Sequence, residues 1–191
     1  RITRTLAKLR EQKDLPLAWD TPADVPEEIL RRAHAPEHLA RVQAAAQNFD
    51  ADTPAHPDIH EHALRSLGGG LRALARARAG DFPFSLLRPP GHHATGTRAM
   101  GFCYYNQAAV TALHALATGA KRAAVFDFDV HHGNGTEEIF QDDERVMMVS
   151  TFQHPFYPYS GIDGFSERMV NVPLAAYSGG DKFRAAVTEH W

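Results

Sequence analysis

Asp127, Asp129 and His131 fall at every second position at the end of an apolar run. The turn that follows them is Gly133-Asn134-Gly135. An extended strand would set these three side chains in a row on one face, with Phe126, Phe128 and Val130 on the other. Two carboxylates crowded at the end of a buried strand are costly unless a cation neutralises them. Carboxylate oxygen with imidazole nitrogen is a donor set that zinc and similar divalent ions accept. The glycines let the chain pass close to such a site. An ordinary capped strand-to-helix turn would need neither a second aspartate nor an aligned histidine.

A second constellation is Pro89-Pro90-Gly91-His92-His93-Ala94. Adjacent histidines on a strand point apart, whereas a Pro-Gly loop can aim both imidazoles at one place. Histidine suits proton transfer near neutral pH, and a partner on its far ring nitrogen is needed to fix the neutral tautomer. Taken alone, the pair would read as two solvent-facing loop residues; beside an acidic row it reads as an acid–base pair.

The other polar residues carry less. His56, His60 and His62 enter a helix from a loop without sharing a face and read as surface or rim residues. His132 is turned away from His131 and is expected to pack or hydrogen-bond behind it. His34 and His38, four apart on helix-like sequence, read as a solvated face. His114 lies in an Ala-rich helix as a core or edge residue. Cys103 follows Phe102 in a buried-looking turn with no dyad around it, so a structural thiol is expected.

The elements that must position these groups follow from periodicity and turn chemistry. Ile2, Leu6 and Leu9 have helical spacing. Pro26-Glu27-Glu28 and Pro36-Glu37 each look like a helix first turn. A loop over residues 50–57 leads into a long helix over 59–79, whose Gly68-Gly69-Gly70 suggests close packing against a neighbour. Residues 84–87 read as a short strand, 105–118 as a helix ended by Gly119, and 136–140 as another helix. Residues 146–151 and 169–173 read as strands, and Asp181 as the cap of a last helix. Apolar strands alternating with helices point to a parallel sheet covered on both faces. In such sheets ligands bind beyond the carboxyl ends of strands, where the loops after Leu87, Val130 and Thr151 open.

The 191 residues, 43% of them hydrophobic, can bury one sizeable core, so a single domain over 1–191 is expected. Twenty basic against 23 acidic residues leave a formal charge of −3 without any like-charge block, which argues against a nucleic-acid surface. One cysteine excludes an internal disulfide and fits a reducing compartment. No stretch has the length and apolarity to span a bilayer, and no signal-peptide pattern opens the chain, so the cytoplasm is the default. The chain starts at Arg1 rather than Met and both ends read as helices under way, so a domain truncated at both ends is expected.

These motifs together resemble the histone deacetylase and acetylpolyamine amidohydrolase family, in its class II-like form. The resemblance runs through Arg88 to Ala94, Gly101-Phe102-Cys103-Tyr104-Tyr105-Asn106, Asp127 to Phe140, Val149-Ser150-Thr151 and Phe156-Tyr157-Pro158, and covers nearly the whole chain. It implies a three-layer αβα arginase–deacetylase fold on a mainly parallel sheet. It also implies zinc-dependent hydrolysis of an acetylated amine such as acetyl-lysine or an acetylpolyamine. Carried over by position, Asp129 and His131 match two of three zinc ligands. Asp127 matches the acid that orients His92, and Asn134 the partner of His93. Gly101, Phe102 and Tyr157 match the walls of a narrow acyl-amine tunnel, and Asp52 a rim aspartate. Asp127, Asp129, His131, Ser150 and Thr151 fit a site for a monovalent cation, K+ or Na+. Phe140, Asp143 and Val146 fit a second one. Tyr159 departs from the pattern, standing where a glycine is common. The third zinc ligand and the oxyanion donor are expected beyond Trp191, since Asp163 sits in a Gly-rich loop and Asp181 reads as a cap.

The function implied is removal of an acetyl or similar acyl group by metal-activated water, with His92 and His93 as general acid and base. Two alternatives remain at this stage: a binuclear manganese ureohydrolase, and a non-catalytic acyl-amine binding or scaffold module. Neither nucleic acid nor membrane is an expected partner, and the sequence leaves a homo-oligomer open.

Overall fold

The computed structural model describes residues 2–162 and 166–191. Its longest element, α4 (Ile59–Arg78), buries Ile59, Ala63, Leu67 and Leu71 along one stripe, the periodicity that makes a helix amphipathic. The three mid-helix glycines admit three different neighbours. A Cβ at Gly68 would lie 2.1 Å from the Ala23 carbonyl oxygen, one at Gly69 2.5 Å from Leu87 Cδ1 and Ser85 Oγ, and one at Gly70 2.6 Å from Thr111 Oγ1. Helical glycine costs about 1 kcal/mol relative to alanine, a penalty offset here by backbone packed against backbone and side chains.

Before α4 lie α1 (Ile2–Glu11), α2 (Glu27–Leu30) and α3 (Pro36–Ala44). Pro26 precedes α2 and Pro36 opens α3, both with acids in the first turn. Ile29, Leu30, Leu39 and Val42 pack with Leu67, Leu71, Tyr104 and Tyr105 in one buried cluster. The next helix, α5 (Gln107–Ala117), is capped by Asn106, whose side-chain oxygen accepts the Ala109 N–H. Gly119, at φ 113°, lets the chain turn away.

Three parallel strands follow in spatial order β1 (Ala123–Asp127), β2 (Val146–Gln153), β3 (Met169–Leu174). Their register pairs Phe126 with Val149 and Asp127 with Ser150. Helices α5 and α6 (Asn134–Phe140) lie on one face, sharing a core of Ala109, Leu116, Phe140, Val146, Met148 and Met169. On the other side, α7 (Gly180–His190) contacts β2 and β3. This is a mixed α/β arrangement on a parallel sheet, and the loops after β1 and β2 leave from the same edge.

Several expectations are corrected. Residues 84–87 form no strand: they pack beside Gly69 of α4 and have no ladder partner among the described residues, and a lone strand leaves its N–H and C=O groups unpaired. The strand that carries the acidic row stops at Asp127, so alternation does not orient Asp129 or His131. Its outer face is only partly covered, with Phe126 and Phe128 against Trp191 but still 49% and 71% exposed. His34 and His38 are buried rather than solvated, because α2 and α3 turn inward against Tyr104 and Tyr105. Asp181 lies inside the first turn of α7 and pairs with Arg184, leaving Gly179 at the cap position. No helix among the described residues is long and apolar enough to cross a membrane.

Candidate active site

The segment after β1 is shaped by aspartates acting on the backbone. Asp127 Oδ1 accepts the N–H of Asp129 at 3.1 Å, and Asp129 Oδ1 accepts the N–H of His131 at 2.9 Å. These local turns do what strand alternation was expected to do. They bring His131 Nδ1 to 2.9 Å from Asp129 Oδ1, so the two expected metal donors stand side by side. Chain reversal then depends on Gly133, where a Cβ would lie 2.2 Å from Asp127 Oδ2, and on Gly135, where it would lie 2.3 Å from the Ala94 carbonyl.

That last contact docks α6 onto the paired-histidine loop. The N–H groups of Gly135 and Thr136 both donate to His92 O. Asn106 adds a second tie, its Nδ2 donating to Ala94 O at 3.0 Å and to Thr136 Oγ1 at 3.1 Å. Held in this way, the His92 and His93 rings lie 4.0 Å apart between centroids. His92 Nδ1 pairs with Asp127 Oδ2 at 2.9 Å, and His93 Nδ1 donates to Asn134 Oδ1 at 2.8 Å. His93 also faces His131, 5.8 Å away between ring centroids. The two constellations seen in the sequence therefore meet in one place.

The electrostatics of the pair diverge. Burial works against the charged form of His92, but the bond to Asp127 and the charges of Asp127 and Asp129 outweigh it and raise its pKa. His93 is lowered to about 4 by burial and then by the neighbouring His92, which the Asn134 bond only partly offsets. An amide stabilises imidazolium less than a carboxylate does. One imidazole is biased to hold a proton and its neighbour to stay neutral, the divergence expected of an acid–base pair. Asp129 is lowered despite burial, chiefly by the His131 N–H and the charge of His92.

Opposite His93 stands Tyr157, with ring centroids 5.1 Å apart and the planes nearly perpendicular. Gly101, at φ 56°, fits between them: a Cβ would lie 2.5 Å from His93 Cδ2 and 2.9 Å from the Tyr157 hydroxyl oxygen. Phe102 follows at φ 64° and is half exposed. Tyr157 is raised by burial and then by Asp50, with Cys103 and Asp52 adding to it. Asp52 is thus near this wall, although its side chain is exposed. Tyr159 adopts φ 61° with its ring 73% exposed, a conformation that costs glycine least.

On β2, opposite Asp127 in the ladder, Ser150 is fully buried and its hydroxyl has no hydrogen-bond partner among the described residues. Thr151 is buried beside it and accepts the Trp191 indole N–H at 2.9 Å. Farther away, the backbone oxygens of Phe140 and Asp143 accept the N–H groups of Asp143 and Val146, while the Asp143 carboxylate binds Arg145. No three His, Cys, Asp or Glu side chains converge on a metal position among the described residues. Asp163 lies outside the described residues.

Other histidines lie away from this cluster. His132 is buried, with Nδ1 2.9 Å from Ser160 Oγ and Nε2 3.2 Å from Glu137 Oε2. His60 Nδ1 lies 2.9 Å from the Tyr105 hydroxyl, whereas His56 and His62 are exposed. His114 is half-buried on α5. Cys103 is fully buried, its thiol pushed up to about 12 by burial, as suits an unreactive packing residue. Sequence reasoning did not anticipate Asp50, Thr53, Asn106 or Glu137. For Asp50 and Thr53 the available signal was the Asp-x-Asp-Thr run, a composition that hydrogen-bonds backbone in turns.

Comparison with known proteins agrees with this geometry. A sequence model of the histone deacetylase domain matches residues 1–191. Histone deacetylase 15 of Arabidopsis thaliana is 39% identical over 83% of the chain and 32% of its own length. Acetylpolyamine amidohydrolase 2 of Pseudomonas aeruginosa is 33% identical over 91% of the chain and 51% of its own length. The crystal structure of an acetylpolyamine aminohydrolase from Burkholderia pseudomallei superposes with a TM-score of 0.86 at 28% identity, over 98% of this chain and 67% of that one. The chain spans 32% to 60% of the length of the first curated relatives it matches. With a domain match from end to end and a fold shared with these hydrolases, the chain belongs to the histone deacetylase family.

Proposed function

We propose that the protein containing this chain is a zinc-dependent hydrolase that removes acetyl or similar acyl groups from lysine-like or polyamine amines. The observation that carries this reading is the pair of part-buried bonds, His92 to Asp127 and His93 to Asn134, set beside the adjoining donors of Asp129 and His131. Asp129 Oδ1 and His131 Nδ1 would hold zinc with a third ligand from elsewhere in the protein, and the Ser150 hydroxyl, without a partner among the described residues, suits a monovalent cation. When bound, zinc would polarise the acyl carbonyl and acidify a water.

The chain's own residues do the rest. His93, neutral and fixed by Asn134 through Nδ1, presents Nε2 as a base for the water proton. His92 keeps its proton through Asp127 and favours charge building up beside it. Gly101, Phe102 and Tyr157 wall a slender slot that would orient the acyl-amine arm and exclude water around it. The proton then returns from the histidine pair to the leaving amine.

Turnover of a fluorogenic acetyl-lysine substrate, with and without chelator, tests the reading; chelator-insensitive turnover would count against it. A second reading, a non-catalytic acyl-amine binding module, draws support from the two-donor set among the described residues. Stoichiometric binding of the substrate with no hydrolysis in the zinc-loaded protein would favour that one.

A further inference from the structure

The wall opposite Tyr157 has a support the catalytic scheme does not use. Residues 49–54 form a closed turn in which the Phe49 N–H donates to Thr53 O at 2.9 Å. The turn is fastened to the next segment by the Tyr104 hydroxyl, which donates to Pro54 O, and by Phe49, whose ring meets Tyr104 edge-on at 5.4 Å. Within it Thr53 is fully buried, and its hydroxyl accepts the N–H of Phe102 at 3.0 Å. Asp50 uses both carboxylate oxygens. Oδ1 accepts the N–H of Asp52 at 2.9 Å, and Oδ2 accepts the N–H of Gly101 at 3.4 Å.

Gly101 and Phe102 are consecutive left-handed residues, at φ 56° and 64°. A phenylalanine persists there only when its surroundings hold it. The two N–H groups exposed by this conformation are the ones Asp50 and Thr53 take. Because Gly101 is wedged against both His93 and the Tyr157 hydroxyl, any slackening of the pair changes the gap between them.

We propose that Asp50 and Thr53 are positioning residues for the substrate slot, bracing the left-handed Gly101–Phe102 wall and tying it to the rim residue Asp52. One carboxylate spans rim and wall, so the two move as a unit, and neither Asp50 nor Thr53 needs to touch substrate. The catalytic consequence rests on the amidohydrolase reading above; the brace itself does not.

The test uses Thr53→Val, Thr53→Ser and Asp50→Ala in the whole protein, with two readouts. Amide hydrogen exchange is followed at Gly101 and Phe102, and KM and kcat are measured on a fluorogenic acetyl-lysine substrate. Losing one neutral hydrogen bond should speed Phe102 exchange in Thr53→Val about fivefold. KM should rise by about the same factor with kcat less affected, because the wall grips the arm similarly in ground and transition states. Thr53→Ser should restore both values. Asp50→Ala, at a half-buried turn position, should do the same at Gly101, and it decides the matter if valine at 53 prevents folding. Unchanged exchange in both Thr53→Val and Asp50→Ala, or faster exchange with KM and kcat unaltered, would overturn the proposal. A wild-type protein without turnover would defeat the amidohydrolase reading instead, and the exchange readout would still decide the brace.

Discussion

His34 Nε2 accepts the backbone N–H of Asn106 at 2.9 Å while its Nδ1 donates to the Thr95 carbonyl at 3.0 Å. A buried imidazole thereby bridges the cap of α5 and the end of the paired-histidine loop. Only the neutral Nδ1–H tautomer makes both bonds, since a proton on Nε2 would face the Asn106 N–H. His38 stands 5.0 Å away between ring centroids and is equally buried, its Nε2 donating to Tyr104 O.

An acid-sensitive fold follows from this. The His34 pKa is lowered from 6.5 to about 3 by burial and then by His38, and His38 is lowered too, mainly by burial. Depressed folded values mean that the unfolded chain binds protons first as pH falls. The stabilisation is complete above pH 6.5 and declines steadily between 6.5 and about 3. Its slope approaches about 1.4 kcal/mol per pH unit for His34, and His38 adds to it in the same direction. Urea unfolding at pH 7 and pH 4.5 checks this, and equal midpoints at the two values would refute it.

His93→Ala should lower turnover by about 10²- to 10⁴-fold, the usual contribution of a general base. Metal content should stay at the wild-type level, because His93 bonds Asn134 and not a metal donor. Retained turnover would remove His93 from the base role.

Asp129→Ala removes one expected ligand and the acceptor that fixes the His131 backbone. Zinc affinity should fall by at least about tenfold, with turnover falling alongside it. Zinc retained through dialysis, measured by elemental analysis, is the outcome that contradicts the assignment.

Gly135→Ala should destabilise the fold by about 2–4 kcal/mol. The added methyl would meet the Ala94 carbonyl at 2.3 Å and the His93 carbonyl carbon at 2.6 Å, and backbone atoms cannot swing aside. Thermal unfolding measures the loss. By contrast, alanine at Gly119 meets no atom within 4 Å and suffers only the strain of its positive φ, so it should cost less.

What the chain alone determined was the chemistry and the local structure that needs no partner. Asp127, Asp129, His131 and the His92-His93 pair could be picked out as candidates because side-chain type is written directly in the sequence. The long helices α4 and α5 could be read because helical hydrogen bonds close within four residues, although the Asn106 cap of α5 was not. The tertiary structure decided whatever depends on distant neighbours. Residues 84–87 look like a strand, yet a ladder requires a partner that residue pattern cannot supply. His34 and His38 have the spacing of an exposed face, but their burial is set by Tyr104 and Tyr105 more than 60 positions away. Asp129 and His131 came together by side-chain-to-backbone turns rather than by alternation. The brace of Asp50 and Thr53 on Gly101 and Phe102 joins groups about 50 residues apart. Contacts of that kind arise only when packing has brought the segments together, because each hydrogen bond depends on a few tenths of an ångström that no local periodicity encodes.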